Sequence, residues 1–431
     1  MAKRSLLTTV ICGLTLLAPA TVTAQEPLSE LLVRLIQSEI RLAPPPPGFA
    51  SHEAHFQPGT GRQLAPYFFK QQLVTQLSTF PIGSSSGGFS FTFDPSTGTI
   101  QRATQSFGPS FAERALTNGK GKLTLGANFQ YSKYTSFEGQ SLDNGDIKFF
   151  LRHQAETGLF FEGDLIEAAL HLDLSSSTTT VFANYGVGDR WDVAVAVPIL
   201  HVSIDATVDA TVLRLATGDN STLHAFPGGS RTKRFPASGS ATGIGDLSVR
   251  TKYRFFSSRG GGVAAGFDLR IPSGDPQNLL GTGAAAATFS LIGSSSNGPL
   301  SPHFNFGLTG SGAGDVINVP NEVGYRVGTE YVATPRVTLS ADLIGRNLLS
   351  AGGLKLGDTT WTYTDFAGVR RSTTLHEFSE REGSLNLLSV ALGGKVNVTG
   401  NLLLSGNVLL ALTSAGVTAR ITPAMGFDYS F

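Results

Sequence analysis

The stretch Lys122-Leu123-Thr124-Leu125-Gly126-Ala127-Asn128-Phe129-Gln130-Tyr131-Ser132-Lys133-Tyr134 alternates with period two. Leu123, Leu125, Ala127, Phe129 and Tyr131 share one side, and Thr124, Gly126, Asn128, Gln130 and Ser132 the other. Successive side chains of a strand point to opposite faces, so this is a strand with one apolar and one polar face. The pattern recurs along the chain. Leu247, Val249, Tyr253 and Phe255 alternate with Asp246, Ser248, Arg250, Lys252 and Arg254. Val263, Ala265, Phe267, Leu269 and Ile271 alternate with Gly266, Asp268 and Arg270, and Leu388, Val390, Leu392, Val396 and Val398 with Ser389, Ala391, Gly393, Lys395 and Asn397.

A soluble β-sandwich also alternates, but these runs are about ten to fourteen residues long, against roughly five or six for globular strands. The chain closes on Phe427-Asp428-Tyr429-Ser430-Phe431, an aromatic-alternating end that resembles the C-terminal sorting signal of bacterial outer-membrane barrels. Phe427, Tyr429 and Phe431 suit the girdle where a barrel meets the lipid interface. A sheet in a bilayer must close, because an open edge would leave backbone groups unpaired in hydrocarbon. The sequence therefore predicts an all-β fold: a transmembrane antiparallel β-barrel over residues 121–431. Fourteen strands are expected, at 121–135, 145–153, 160–174, 178–188, 190–206, 244–257, 261–273, 284–293, 301–311, 322–333, 336–349, 385–398, 401–413 and 419–431. Twelve or sixteen remain compatible. With fourteen, the short turns fall on the periplasmic side, and the stretches 207–243 and 350–384 become long outer loops.

Composition agrees. Of 431 residues, 32 are basic and 32 acidic, and 51 are Gly. Charged residues make up 15%, against roughly 25% in soluble domains, and the balance of charge points away from a nucleic-acid partner. Lys3 and Arg4, the apolar run Leu6–Leu17, Pro19 and the small-residue site Val22-Thr23-Ala24 read as a signal peptide over residues 1–24. Its removal takes away the single cysteine, Cys12, leaving no disulfide, thiolate metal site or Cys nucleophile. No later run is long and apolar enough for a spanning helix.

Residues 25–120 differ from the rest. Leu28, Leu31, Leu32, Leu35, Ile36 and Ile40 follow Pro27 at helical spacing, and Pro44–Pro47 ends the pattern. A second helix is expected over Pro66–Leu77, and a hairpin over Phe89–Ala103 around Asp94-Pro95-Ser96-Thr97-Gly98. This segment is either a plug in the barrel, a periplasmic extension or a lost pair of strands.

Two stretches carry a family resemblance. The first is Tyr185-Gly186-Val187-Gly188-Asp189-Arg190-Trp191-Asp192-Val193, reaching Pro198. The second is Gly243-Ile244-Gly245-Asp246-Leu247 with Lys252-Tyr253-Arg254, followed by Arg270-Ile271-Pro272-Ser273-Gly274-Asp275. Their order over residues 165–431 resembles the outer-membrane proteins grouped as the meta-pathway phenol-degradation family, which are similar to fatty-acid and aromatic-hydrocarbon channels. The resemblance implies an outer-membrane transporter for passive uptake of small hydrophobic or aromatic molecules. It also implies contact with outer-membrane lipid and with the barrel-assembly machinery.

The residues expected on the inner face are Asp246, Arg250, Lys252, Arg254, Asp268, Arg270, Arg326, Glu330, Asp342 and Arg346. Arg250, Lys252 and Arg254 either form a basic strip that guides an anionic head group or pair with Asp268, Glu330 and Asp342 across a wet lumen. The second alternative is favoured. Gly beside Asp189 and Asp246 makes turn formation a sufficient account of both acids. An enzyme is the main competing class, such as a barrel acting on lipid, and an adhesive barrel is a third. No nucleophile elbow or phosphate loop occurs. His52 and His55 are the one close histidine pair, on a Pro-flanked loop. No cofactor, metal or catalytic residue is assigned.

Overall fold

The computed structural model describes residues 26–44, 56–58, 64–81, 83–84, 88–94, 99–153, 160–258, 260–314 and 316–431. The signal-peptide reading of residues 1–24, the His52/His55 pair and the turn residues 95–98 lie outside these. Twelve antiparallel strands close a barrel: β1 (Leu123–Tyr134), β2 (Leu165–Gly188), β3 (Trp191–Leu213), β4 (Leu247–Ser258), β5 (Gly261–Ile271), β6 (Ala286–Ser294), β7 (Leu300–Ser311), β8 (Glu322–Thr334), β9 (Val337–Leu348), β10 (Leu385–Asn397), β11 (Leu402–Ala411) and β12 (Ile421–Ser430). Each pairs with its neighbours in the chain, and β12 returns to β1, Phe427 opposite Ala127. No sheet edge is left open around the ring.

The expected fourteen strands become twelve through two differences, each removing one strand from the ring. The expected strands 160–174 and 178–188 merge into one strand of 24 residues, β2, which starts at Leu165 after a 3-10 turn over Phe160–Gly163. Residues Ile147–His153 do form a strand, but it pairs with the first part of β2, Ile147 opposite Leu170, and on its other side with Phe56–Pro58, and stays outside the ring. Parity is preserved, so the short turns still share one end and the long connections the other. The expected loop 207–243 contains the top of β3 and a strand, Thr232–Ile244, paired along it. The expected loop 350–384 contains the hairpin Gly353–Thr364/Arg370–Arg381.

Burial follows the alternation. Exposed apolar side chains ring the barrel: Leu125, Val181, Val195, Leu269, Leu291, Val327, Leu343, Leu392 and Leu404. Tyr185, Trp191, Tyr253, Tyr331, Tyr429 and Phe431 cluster outside near the short-turn end, as an interfacial aromatic girdle does. Inward neighbours such as Thr124, Asn184, Ser248, Asn305 and Thr338 are buried and polar. An apolar outside and a polar inside is the arrangement a bilayer requires, so the chain is an outer-membrane type of barrel.

At the long-connection end, β2 and β3 rise beyond the ring. With the strands Ile147–His153 and Thr232–Ile244 they form a sheet whose inner face is apolar. That face packs on helices α1 (Leu28–Gln37) and α2 (Leu64–Ser78). Leu172, Leu174, Val202, Ile204 and Val208 share one core with Leu28, Leu31, Leu35, Phe69, Leu73 and Val74. A Lys70–Glu30 ion pair joins the helices. The Leu28 amide donates to Asn278 (3.3 Å) and Gln72 to Glu138 (3.0 Å), both on outer connections.

Candidate functional site

From α2 the chain passes through the barrel to the short-turn end, where β1 begins. Its contacts define the interior. Arg346 on β9 donates to Thr79 (2.9 Å). The Phe107 amide donates to Thr338 (3.2 Å) and the Gly108 amide to Glu330 (3.1 Å). Glu113 and Asn305 exchange two bonds, 2.7 and 2.8 Å. The Ala115 amide donates to Ser294 (3.0 Å), and Lys252 donates to the Arg114 carbonyl (3.0 Å). Asn118 closes the path, its amide on Asp192 (3.0 and 3.1 Å) and its side chain on Thr124 and the Asn184 carbonyl. Strands β1, β2, β3, β4, β6, β7, β8 and β9 thus all hold this segment. Where it meets β2, Gly121 donates to Gly186 (2.8 Å) and Gly186 to Lys122 (2.9 Å). A Cβ on Gly186 would lie 1.9 Å from the Gly119 carbonyl oxygen, so only glycine admits this approach.

Arg114 is the internal tie of the segment. Its guanidinium donates to the carbonyls of Ser106 and Gly88 (3.1 Å each) and to the hydroxyls of Thr104, Ser106 and Ser90. Glu330 lies 3.9 Å from the Arg114 guanidinium. Glu330 and Asp342 bracket His303, at 3.5 Å from Nδ1 and 2.5 Å from Nε2. Asp342, His303, Glu330 and Arg114 form a buried charged chain between wall and segment. Such a chain is costly to break because it would leave a charge buried without its partner.

Above it lies a cavity of about 190 Å³. On one side it is lined by Phe80, Pro81, Phe111 and Glu113 of the N-terminal segment. On the other stand Asp192, Arg250, Lys252, Asp268, Arg270, Glu322, Arg326 and Arg346 of the wall. Phe80, Pro81 and Arg346 also border a second, smaller cavity of about 60 Å³ against β9–β12. Phe80 and Pro81 therefore stand between the two cavities.

Six of the ten residues expected on the inner face line the larger cavity: Arg250, Lys252, Asp268, Arg270, Arg326 and Arg346. The basic strip does not exist as such. Arg250 faces Asp268, its cross-strand partner, and pairs with it. Lys252 reaches Glu113 (3.5 Å) and Asp192 (4.0 Å). Arg254 turns to the short-turn end and donates to the Asp189 carbonyl (3.0 Å). Of the three acids expected to pair with the strip, only Asp268 does so. Glu330 and Asp342 hold His303 instead, because they lie several strands away with the segment in between. Asp246 does not face the cavity. Its carboxylate accepts from the Gly274 amide (3.1 Å) and from the Thr282 amide and hydroxyl (2.9 and 2.8 Å), clamping an outer connection. Phe427, Tyr429 and Phe431 stand in one outward row.

Sequence reasoning passed over Glu113, Asp192, His303 and Glu322. Glu322 receives both arms of Arg346 (2.9 and 2.6 Å). Its position in the alternation of β8, four residues before Arg326, marks it as inward. Glu113 carried no such signal, since its segment has no strand period.

No protein-family model matches the chain, and no curated protein matches it. Several solved structures do. An outer membrane channel from Pseudomonas putida F1 is 13% identical, with a TM-score of 0.43 over 74% of this chain and 97% of that one. A Pseudomonas aeruginosa FadL homologue is 12% identical, with a TM-score of 0.31 over 83% and 96%. The Ralstonia pickettii toluene transporter TbuX is 10% identical, with a TM-score of 0.29 over 73% and 90%. Likenesses of this order carry no inference about what this chain transports.

Proposed function

We propose that the protein is an outer-membrane channel for passive uptake of small hydrophobic or aromatic molecules, with residues 79–119 as an internal plug. The observation that carries this reading is the cavity. It lies inside a closed, lipid-facing ring and is bordered by Phe80 and Phe111 of the traversing segment. Ligand sites are concavities that pair apolar surface with placed polar groups, and here charged wall residues stand across from the two aromatic rings. The turn motifs' resemblance to the meta-pathway phenol-degradation family points the same way. Under this reading Phe427, Tyr429 and Phe431 present the sorting signal to the barrel-assembly machinery.

The test is uptake by liposomes carrying the full chain. Benzyl alcohol and toluene are expected to enter faster than in protein-free vesicles, without release of lipid hydrolysis products. Uptake equal to the empty vesicles would overturn the channel reading. Fatty acid released from the vesicle lipid would favour an enzyme instead.

A further inference from the structure

The cavity charges do not cancel. Five cations and four acids line it, and the pairing leaves the excess in one place. Arg250 is held by Asp268, Lys252 by Glu113 and Asp192, and Arg346 by Glu322. Arg270 and Arg326 are left. Neither has a hydrogen bond or an ion-paired carboxylate among the described residues, and the Nε of Arg326 is buried without a partner. Both stand on rigid wall strands, β5 and β8, in the row of inward residues.

A guanidinium presents a planar fork of donors that matches a carboxylate in two parallel bonds. Half-buried and without an ion-paired carboxylate among the described residues, such a guanidinium gains from a ligand that brings the missing charge. The same cavity is bordered by the rings of Phe80 and Phe111, and Phe111 belongs to an apolar cluster with Ile344, Ala391 and Leu409. Charge on one side and rings on the other describe an amphipathic occupant.

We propose that the cavity binds a small apolar monocarboxylate of about benzoate size, its carboxylate on Arg270 and Arg326 and its apolar body against Phe80 and Phe111. This rests on the channel reading and names the class of cargo.

The experiment is equilibrium binding of radiolabelled benzoate to the folded full chain in detergent, with benzyl alcohol and inorganic phosphate as competitors. Saturable benzoate binding is expected, with benzyl alcohol and phosphate each at least tenfold weaker. The paired substitution Arg270→Gln/Arg326→Gln is expected to weaken benzoate at least tenfold while the protein keeps its heat-modifiable mobility. If that variant fails to assemble, Arg326→Lys serves: it keeps the charge, loses the fork and is expected to weaken benzoate several-fold. Equal binding of benzoate and benzyl alcohol overturns the proposal, as does equal displacement by phosphate. Unchanged affinity in a folded variant also overturns it. Failure of the channel reading shows separately, as absence of uptake of the neutral solutes by liposomes whatever the binding result.

Discussion

Strands β2 and β3 each run through two environments, and their faces exchange roles on the way. In the part of β2 near Gly188, Val181, Tyr185 and Val187 point outward and are exposed, while Thr178, Thr180 and Asn184 point inward and are buried. Toward Leu165 the order reverses: Leu170, Leu172 and Leu174 are buried inside and His171 and Asp173 face out. β3 mirrors this. Trp191, Val195 and Ile199 face outward below, and His201 and Asp205 face outward above, over buried Val202, Ile204 and Val208. No change of backbone accompanies the exchange, since the register between the strands is continuous from Leu165–Leu213 down to Gly186–Asp192. The solvent changes. Below, lipid lies outside and a polar lumen inside; above, water lies outside and an apolar core over α1 and α2 inside. The inversion, at about residues 175–181 of β2 and 199–201 of β3, marks where the barrel leaves the membrane.

The comparison can be broken by placing the wrong chemistry in each half. Leu172→Ala in the outer core is expected to cost about 2–5 kcal/mol, read as a lower midpoint in urea unfolding. Val195→Lys on the outward face below is expected to cost about 2–4 kcal/mol by placing a charge in lipid. Asp205→Lys on the outward face above, directly opposite Asp173, is expected to change stability by no more than about 0.5 kcal/mol. Equal effects of the two lysines would remove the membrane boundary from between them. Gly186→Val tests where plug meets wall. Its Cβ would collide with the Gly119 carbonyl, so the expected result is a displaced segment and a severalfold rise in single-channel conductance.

The smallest effect sharpens the outer half. In the outer hairpin, Asp365 accepts from the Ala367 amide (3.0 Å), the Val369 amide (2.9 Å) and Arg371 (2.5 Å). Its bond to Arg371, then that to Val369, holds its carboxyl below the usual carboxylate range. A carboxylate depressed by folding stabilises fully above its unfolded value and stops doing so as pH falls through its folded one. The protection of the Val369 amide against exchange, relative to an unfolded chain at the same pH, is therefore expected to be high at pH 7 and to fall on acidification below the ordinary Asp range. In Asp365→Asn it should be nearly independent of pH there.

Much of the wall was legible because lipid on one side and a wet lumen on the other impose strict alternation. The strand miscount arose where that logic fails. Ser175-Ser176-Ser177-Thr178-Thr179-Thr180 is polar on both faces because it spans the inversion, so it reads as a break rather than the middle of β2. Thr232–Ile244 was hidden because Ala237, Gly239, Ala241 and Gly243 give its inner face little hydrophobic signal. The inward placement of Arg250, Lys252, Asp268, Arg270, Arg326 and Arg346 was readable residue by residue. Their partners were not: Glu113 comes from a segment without period, and Glu330 and Asp342 turn to His303.

By itself, then, the sequence determined that this chain makes a closed barrel with an apolar outside, because period two and an aromatic end are local properties. Only the tertiary structure decided that twelve strands close it, that residues such as Phe107, Glu113 and Asn118 bond to its inner face, and that Arg270 and Arg326 have no ion-paired carboxylate among the described residues. Pairing between charges depends on which strands lie across the lumen and on what stands between them, and no spacing along the chain records either.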